Sequence, residues 1–282
     1  LDAAKLEWAL VRNEGEYCRP ADLCGPNGQQ FEQLDEMATS AATLMDDVAY
    51  VEQEFKPNSP YDDDPDFRIW LGIPQAVIHG DLTSTKPVVH VRPRGPLTEI
   101  QFWYFYPFNG PGRLRICWEH CEYEQFNESG RHWGDWEMVS LLVDNISQSI
   151  VATGMSHHGN VEWVQYAHVE KHGNGVRPLV FSALNSHAHY RHAGEHYYAV
   201  VWHRGPIKAT TYDLTGHGAD VMVGDYYLAP DEQSIASTWL GFPYRWGQYI
   251  WNFDEVDFLS TNYFDYKEIN PGPSGPPTKP EW

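Results

Sequence analysis

A mainly β fold, a two-layer antiparallel β-sandwich with an N-terminal amphipathic helix, is the class this sequence predicts, and three observations predict it. From residue 86 onward, short aromatic or β-branched runs alternate with turn residues. The 23 Gly and 20 Pro are spread along the 282 residues rather than concentrated, which is the punctuation of many short strands. Hydrophobic residues make up 42% and aromatic residues 15%, enough to bury a large core and unlike a disordered chain. No linker-like stretch divides the chain before residue 270, so residues 1–282 are expected to form a single β-sandwich domain.

The elements follow in order. Leu1 opens the chain without a Met, and no charged, then apolar, then small-residue pattern follows, so no targeting segment is expected. Cys18 and Cys24 form one close pair and Cys117 and Cys121 another, an even count that suggests two local disulfides and an oxidising compartment. The alternative for Cys117-Trp118-Glu119-His120-Cys121 is a thiolate and imidazole metal site, although structural zinc normally takes two well-separated ligand pairs. The sequons at Asn127 and Asn145 are consistent with a secreted glycoprotein.

Over residues 31–55, Phe31, Leu34, Met37, Ala38, Ala41, Leu44, Met45, Val48 and Val51 recur at three- and four-residue intervals, which predicts one amphipathic helix. Pro57, Pro60 and Pro65 around Asp62, Asp63 and Asp64 end it in an acidic, solvated loop. Strands are expected at 88–91, 100–108, 138–143, 161–170, 179–184 and 197–202, separated by turns such as Asn109-Gly110-Pro111-Gly112 and His158-Gly159-Asn160. From 270 the chain has no periodicity and reads as an extended tail.

Charge removes whole classes of function. Nineteen Lys plus Arg against 39 Asp plus Glu give a net charge of −20, which opposes binding to a phosphate backbone or to an anionic membrane surface. No apolar run approaches the roughly 18 residues that cross a bilayer.

The segment Gly130 to Glu137 carries the chemistry. In a strand beginning near Asp135, Asp135 and Glu137 share a face with Val139, Leu141 and Val143. Two carboxylates at the mouth of an apolar face must be paired, hydrogen-bonded or bound to a metal. Histidines are the abundant partners, eight of them between His132 and His192. His187 and His189 again have period two, and His157 and His158 fall in a turn. Such a donor set suits Mg²⁺, Mn²⁺, Ca²⁺ or iron better than structural zinc. The competing interpretation is a purely structural hydrogen-bond network at the end of the sandwich. Residues two apart on a strand also fall near the carboxylate separation of glycosidases, a spacing that any Asp-x-Glu satisfies. No Gly-x-Ser-x-Gly elbow accompanies Ser156 or Ser186.

Five motifs then form a familiar series: Phe102 to Gly110, His132-x-Gly134-Asp135-Trp136-Glu137, Ser156-His157-His158-Gly159, Val169-Glu170-Lys171 with Arg177-Pro178, and Ser186-His187-Ala188-His189-Tyr190. Their order resembles the vacuolar protein sorting-associated protein sixty-two family over roughly residues 70 to 230, a resemblance that brings no settled catalytic activity. The His132, Asp135, Trp136 and Glu137 spacing also resembles the necrosis- and ethylene-inducing-peptide-like cytolysins. These are secreted β-sandwich proteins that hold a divalent cation and bind glycosylated sphingolipids. That resemblance implies His132, Asp135 and Glu137 as metal-site positions. The sequence departs from the cytolysins at Gly134, where they carry a second His, and from the sorting family's closing Trp-Asp-Pro at Gly224-Asp225-Tyr226.

The expectation is therefore a secreted, monomeric enzyme, a hydrolase or lyase, acting on a carbohydrate, a glycosylated small molecule or a comparable polyhydroxylated substrate. Asp135, Glu137, His187, His189 and Tyr190 are the catalytic candidates. Trp103, Trp133, Trp136, His157 and His158 are the substrate-binding ones. His132, Asp135 and Glu137 are the metal ligands if Ca²⁺, Mg²⁺ or Mn²⁺ is held; no other cofactor is expected. A glycan- or lipid-binding module without turnover, and a structural or trafficking protein, are the other two expectations.

Overall fold

A computed structural model of the chain describes residues 7–10, 69–73, 77–80, 86–173, 175, 177–218, 225–242, 245–247, 250–258 and 262–282. The helix expected over 31–55, the acidic loop of 57–66 and the Cys18–Cys24 pair lie outside these residues.

Strands β1 (Glu7–Leu10) and β2 (Ile69–Gly72) pair antiparallel. They are followed by β3 (Val88–Arg94), β4 (Leu97–Asn109), β5 (Arg113–Cys117), β6 (Cys121–Gln125), β7 (His132–Asp144), β8 (Ile150–His157) and β9 (Asn160–Gln165). Then come β10 (Phe181–Ser182), β11 (His189–Tyr190), β12 (Gly194–Arg204), β13 (Ile207–Thr215), β14 (Tyr227–Leu228), β15 (Ile250–Phe258) and β16 (Asn262–Asn270). One sheet has the order β14-β3-β4-β7-β8-β9 and the other β12-β13-β5-β6; β10-β11 and β15-β16 form two smaller sheets. Every pairing is antiparallel except β14 on β3. The two-layer antiparallel sandwich expected from the strand and turn pattern is the architecture found.

Strand β7 begins at His132, three residues before the expected start, because it pairs with β4 from Asn109 opposite His132 to Leu97 opposite Asp144. Alternation divides its two faces. Trp136 and Met138 join Trp103, Val88, Leu71, Ile73, Trp239, Leu240, Phe242 and Trp246 in the main apolar core. Asp135 and Glu137 look the other way. Each large apolar side chain buried in that core contributes about 2–3 kcal/mol. A second cluster of Leu114, Ile116, Phe126 and Ala209 belongs to the smaller sheet.

Two expected strands come out shorter. The run 161–170 ends at Gln165 and passes into a 3-10 turn, Tyr166–His168. Within 179–184 only Phe181 and Ser182 are strand, since Ala183 N–H donates to the Ala188 carbonyl across a turn that holds Asn185 and His187 in the left-handed region.

Cys117 and Cys121 form a disulfide that closes the β5–β6 hairpin, not a metal site. So short a loop gains little chain-entropy stabilisation. The Cys117→Ser/Cys121→Ser double variant is expected to lose roughly 2 kcal/mol, a fall of roughly 4 °C in Tm, measured by thermal unfolding.

The stretch after Asn270 has one 3-10 turn, Pro276–Thr278, and packs onto the larger sheet. Trp282 stacks on the His90 ring with centroids 4.0 Å apart, and the Glu281 carbonyl accepts from Gln101 Nε2 and Arg92 Nη1. Lys279 Nζ donates to the Trp136 carbonyl at 3.2 Å, which brings a cation to the end of β7.

Candidate functional site

A cleft of about 370 Å³ opens at this end of the sandwich, and Asp135, Glu137, Asp213, His132, His158 and Ser186 are among the residues that line it. Arg113, Arg245 and Lys279 line it as well. Three carboxylates thus line one volume, and Lys279 acts on two of them.

The three carboxylates each have identifiable partners. His187 Nδ1 lies 3.2 Å from Asp135 Oδ2, and an ionised carboxylate only accepts, so the imidazole donates. Its ring stacks on Tyr106, centroids 4.0 Å apart, and its backbone sits at φ 57, a conformation His tolerates better than most residues. On Glu137, Oε2 accepts from Ser156 Oγ, which in turn accepts from Met138 N–H at 2.6 Å. His189 Nδ1 donates to the Met138 carbonyl at 3.2 Å, leaving Nε2 to accept from Tyr106 Oη at 3.3 Å. Asp213 accepts from His158 Nε2 at 2.6 Å, Ser186 Oγ at 2.6 Å and Tyr190 Oη at 2.7 Å.

These surroundings pull the neighbouring acids apart. Burial pushes Asp135 upward, yet the His187 hydrogen bond and the charges of His132, His187 and Lys279 outweigh it and hold the carboxyl below its ordinary value. Burial and then the charge of Asp135 push Glu137 well above its ordinary value. Burial lowers His189 to about 4, so it stays neutral. Burial alone raises Tyr104 to about 12; burial also raises Tyr106 and Tyr190, the latter aided by its bond to Asp213.

Of the residues singled out in the sequence, Asp135, Glu137, Trp136, His132 and His158 line the cleft. His187 sits one layer behind, on Asp135. His189 and Tyr190 lie on β11, 3% and 6% exposed, bonded to Tyr106 and Asp213 rather than lining the cleft. His157 stacks on Tyr190. Trp103 and Trp133 are not platforms on its wall: Trp103 belongs to the opposite, apolar face, and Trp133 packs against that same core and edge-on to Phe108. Trp136 is 1% exposed and buries its indole there too. Sequence reasoning missed Asp213 and Lys279. The trace of Asp213 is its parity with Ala209 and Thr211 on β13, a carboxylate on an inward-facing row. Lys279 had none, because a Pro-flanked lysine in an aperiodic stretch looks like solvent-facing chain.

The metal expected at His132, Asp135 and Glu137 can be set against this donor set. His132 Nδ1 donates to the Gly134 carbonyl at 2.7 Å, and among the described residues no three His, Cys, Asp or Glu side chains converge as a cation cage. As arranged, the site is a carboxylate pair with separate hydrogen-bond partners.

A family model described as vacuolar protein sorting-associated protein 62 matches residues 42–260. The chain belongs to this family. From Saccharomyces cerevisiae, the family's vacuolar protein sorting-associated protein 62 is 29% identical over 193 residues, covering 60% of this chain and 38% of that protein. A second yeast relative, named vacuolar protein sorting-associated protein TDA6, is 30% identical over 176 residues, 52% of this chain and 34% of its own. The match thus spans little more than a third of either relative. Among solved structures, Necrosis and Ethylene inducing Protein 2 from the causal agent of cocoa's Witches Broom disease aligns with 52% of each chain at 14% identity and a TM-score of 0.30. NLPPya in complex with glucosamine aligns with 52% of this chain and 53% of its own, at 15% identity and a TM-score of 0.27. Of the family motifs, Lys171 serves the fold: its Nζ donates to the carbonyls of Tyr166 and Val169 at 2.8 and 2.7 Å.

Proposed function

We propose that the cleft is an acid–base site for a polyhydroxylated, carbohydrate-like substrate, with Glu137 as the acid and Asp135 as the base or charge-stabilising carboxylate. The observation that carries this reading is the geometry of the pair: two adjacent same-face carboxylates on one cleft wall, one held by an imidazole and the other by a hydroxyl. Two neighbouring acids in unlike environments take opposite roles at one pH. Their Cα atoms are about 6.6 Å apart along an extended strand, so both carboxyl groups can reach one substrate bond. Glu137 delivers its proton to the leaving oxygen. Asp135, oriented by His187, removes a proton from a water or a ring carbon, or stabilises positive charge. The Cys117–Cys121 bridge fits a secreted protein.

The test is turnover of a panel of aryl glycosides and oligosaccharides. Glu137→Gln and Asp135→Asn should each lower kcat by about 10²- to 10³-fold with the fold intact by circular dichroism. Activity should fall on the acid side as Asp135 protonates and on the alkaline side as Glu137 ionises. Glu137→Gln should also be at least as stable as the wild type at pH 7, since a carboxyl whose pKa is raised by folding loses stability once pH exceeds its unfolded value. Unfolding of both variants would instead make the pair a structural network.

A second reading, a binding module without turnover, is favoured by the 8% and 9% exposure of Asp135 and Glu137, which limits how closely a substrate bond can approach them. Saturable binding with no turnover across the panel would select it.

A further inference from the structure

We infer that residues 271–282 are a strap that completes the cleft, with Lys279 as the positioning residue that holds Asp135 and Glu137 together and Trp282 as the anchor that seats it. The inference rests on the acid–base reading for what the two carboxylates do, but not for how their surroundings are assembled.

The sequence of this segment suits one fixed path. Pro271, Pro273, Pro276, Pro277 and Pro280 each preset φ, so less chain entropy is lost when the segment is laid down. Glycines stand where it comes closest to its support: a Cβ on Gly272 would meet the Gly247 carbonyl oxygen, and one on Gly275 the indole Nε1 of Trp246. Between them the Pro273 carbonyl accepts from Trp246 N–H at 2.8 Å. The far end is seated on buried polar groups of β3 and β4. Gln101, 0% exposed, donates to the Glu281 carbonyl, and His90, 6% exposed, carries the Trp282 ring.

Lys279 is the strap residue that reaches the chemistry. Its Nζ donates at 3.2 Å to the Trp136 carbonyl, in the peptide that joins Trp136 to Glu137, and the residue lines the cleft beside the two acids. Among the described residues it forms no ion pair, and its Nζ lies 5.9 Å from the centroid of the Trp103 ring. Lys86, by contrast, pairs directly with Asp225 at 2.6 Å. A cation held on the backbone between two carboxylates is shared by both instead of being paired to one. Its charge bears on Asp135 and on Glu137 alike. Neighbouring buried carboxylates repel, so removing the shared cation sets one against the other. Neither Trp282 nor His90 lines the cleft, so seating and chemistry occupy separate ends of the strap.

The experiment is a double-mutant cycle on the intact chain, read by urea unfolding. It compares the wild type, Lys279→Met, Asp135→Asn and the double variant, then the same four in a Trp282→Ala background, with Trp282→Leu in its place should the alanine variant not fold. In the first set the two single effects on the unfolding constant should fail to multiply by about fivefold. Lys279→Arg should keep most of the stability that Lys279→Met loses. In the second set the discrepancy should fall within about twofold, because the strap no longer brings Lys279 to the carboxylates. Multiplicative effects in the first set, an unchanged discrepancy in the second, or Lys279→Arg as damaging as Lys279→Met, overturns the inference. In the glycoside panel Lys279→Met and Trp282→Ala should lower kcat by a similar factor, about 10- to 100-fold, and no further when combined. Absence of turnover in the wild type removes the acid–base reading and leaves the strap standing on the cycle; turnover in the wild type with multiplicative effects does the reverse.

Discussion

Replacing Gly134 by Ala is expected to cost the fold about 5 kcal/mol or more, a loss read by urea or thermal unfolding. Gly134 has φ 69, where a side chain is strained, and an added Cβ would overlap the carbonyl oxygen of Trp246. That obstacle is backbone and cannot rotate away. The crossing is reciprocal, since Gly247, at φ 135, would drive its own Cβ into the carbonyl of Trp133. Two chain segments therefore pass at glycine-to-glycine distance beside the first residues of β7. The contact seats Trp246, 0% exposed, against Trp136 with ring centroids 5.2 Å apart. Gly159→Ala provides the control, because Gly159 has a similar φ of 74 but nothing within 4 Å of its added Cβ. It should cost only about 1 kcal/mol, the backbone share alone. A loss at Gly134 no larger than at Gly159 would mean that the crossing yields easily.

What the sequence disclosed follows from short-range periodicity. Alternation along residues 135–143 was sufficient to place Asp135 and Glu137 on one face, and the same parity sends Trp136 and Met138 into the core on the other. Turn chemistry located His158-Gly159, both at positive φ in the β8–β9 hairpin. Whatever depends on distant segments meeting was illegible. Nothing near Gly134 announces residue 246, and nothing near Lys279 announces the Trp136 carbonyl, 143 residues away. The tryptophans misled for a related reason. A Trp beside a carboxylate on a strand points to the opposite face, so Trp136, next to Asp135 and Glu137, is in the core because those two are not. Strands β5 and β13 were overlooked as strands: β5 alternates cleanly but over only five residues, and in β13 the adjacent Thr210 and Thr211 blur the alternation. With them went Asp213, which faces the cleft from the inward row of β13.

Asp213→Ala is expected to destabilise the chain by about 3–5 kcal/mol and to empty the second-layer half of the site of its order. Asp213 is 3% exposed and accepts from three side chains that come from three separate segments: His158 after β8, Ser186 in the left-handed turn, and Tyr190 on β11. Removing the carboxylate leaves a buried phenol, a hydroxyl and an imidazole unpaired at once. Tyr190 also stacks on His196, centroids 3.7 Å apart, so its displacement would spread along β12. Asp213→Asn keeps the shape and two acceptor lone pairs but loses the charge, and should cost less than the alanine variant. Its pH dependence separates charge from packing. Burial raises the Asp213 carboxyl, but the hydrogen bonds from His158, Ser186 and Tyr190 and the His158 charge lower it by more. A group whose folded value lies below its unfolded value, about 3.9 for Asp, stabilises fully above that pH and loses this contribution as pH falls toward the folded value. The wild type should therefore lose stability between pH 5 and lower values more steeply than Asp213→Asn, by chemical denaturation at each pH. Parallel curves would assign Asp213 a packing role alone. If the steeper wild-type loss is accompanied by loss of ligand affinity at the cleft, the charge of Asp213 is what holds His158 and Ser186 in place on its wall.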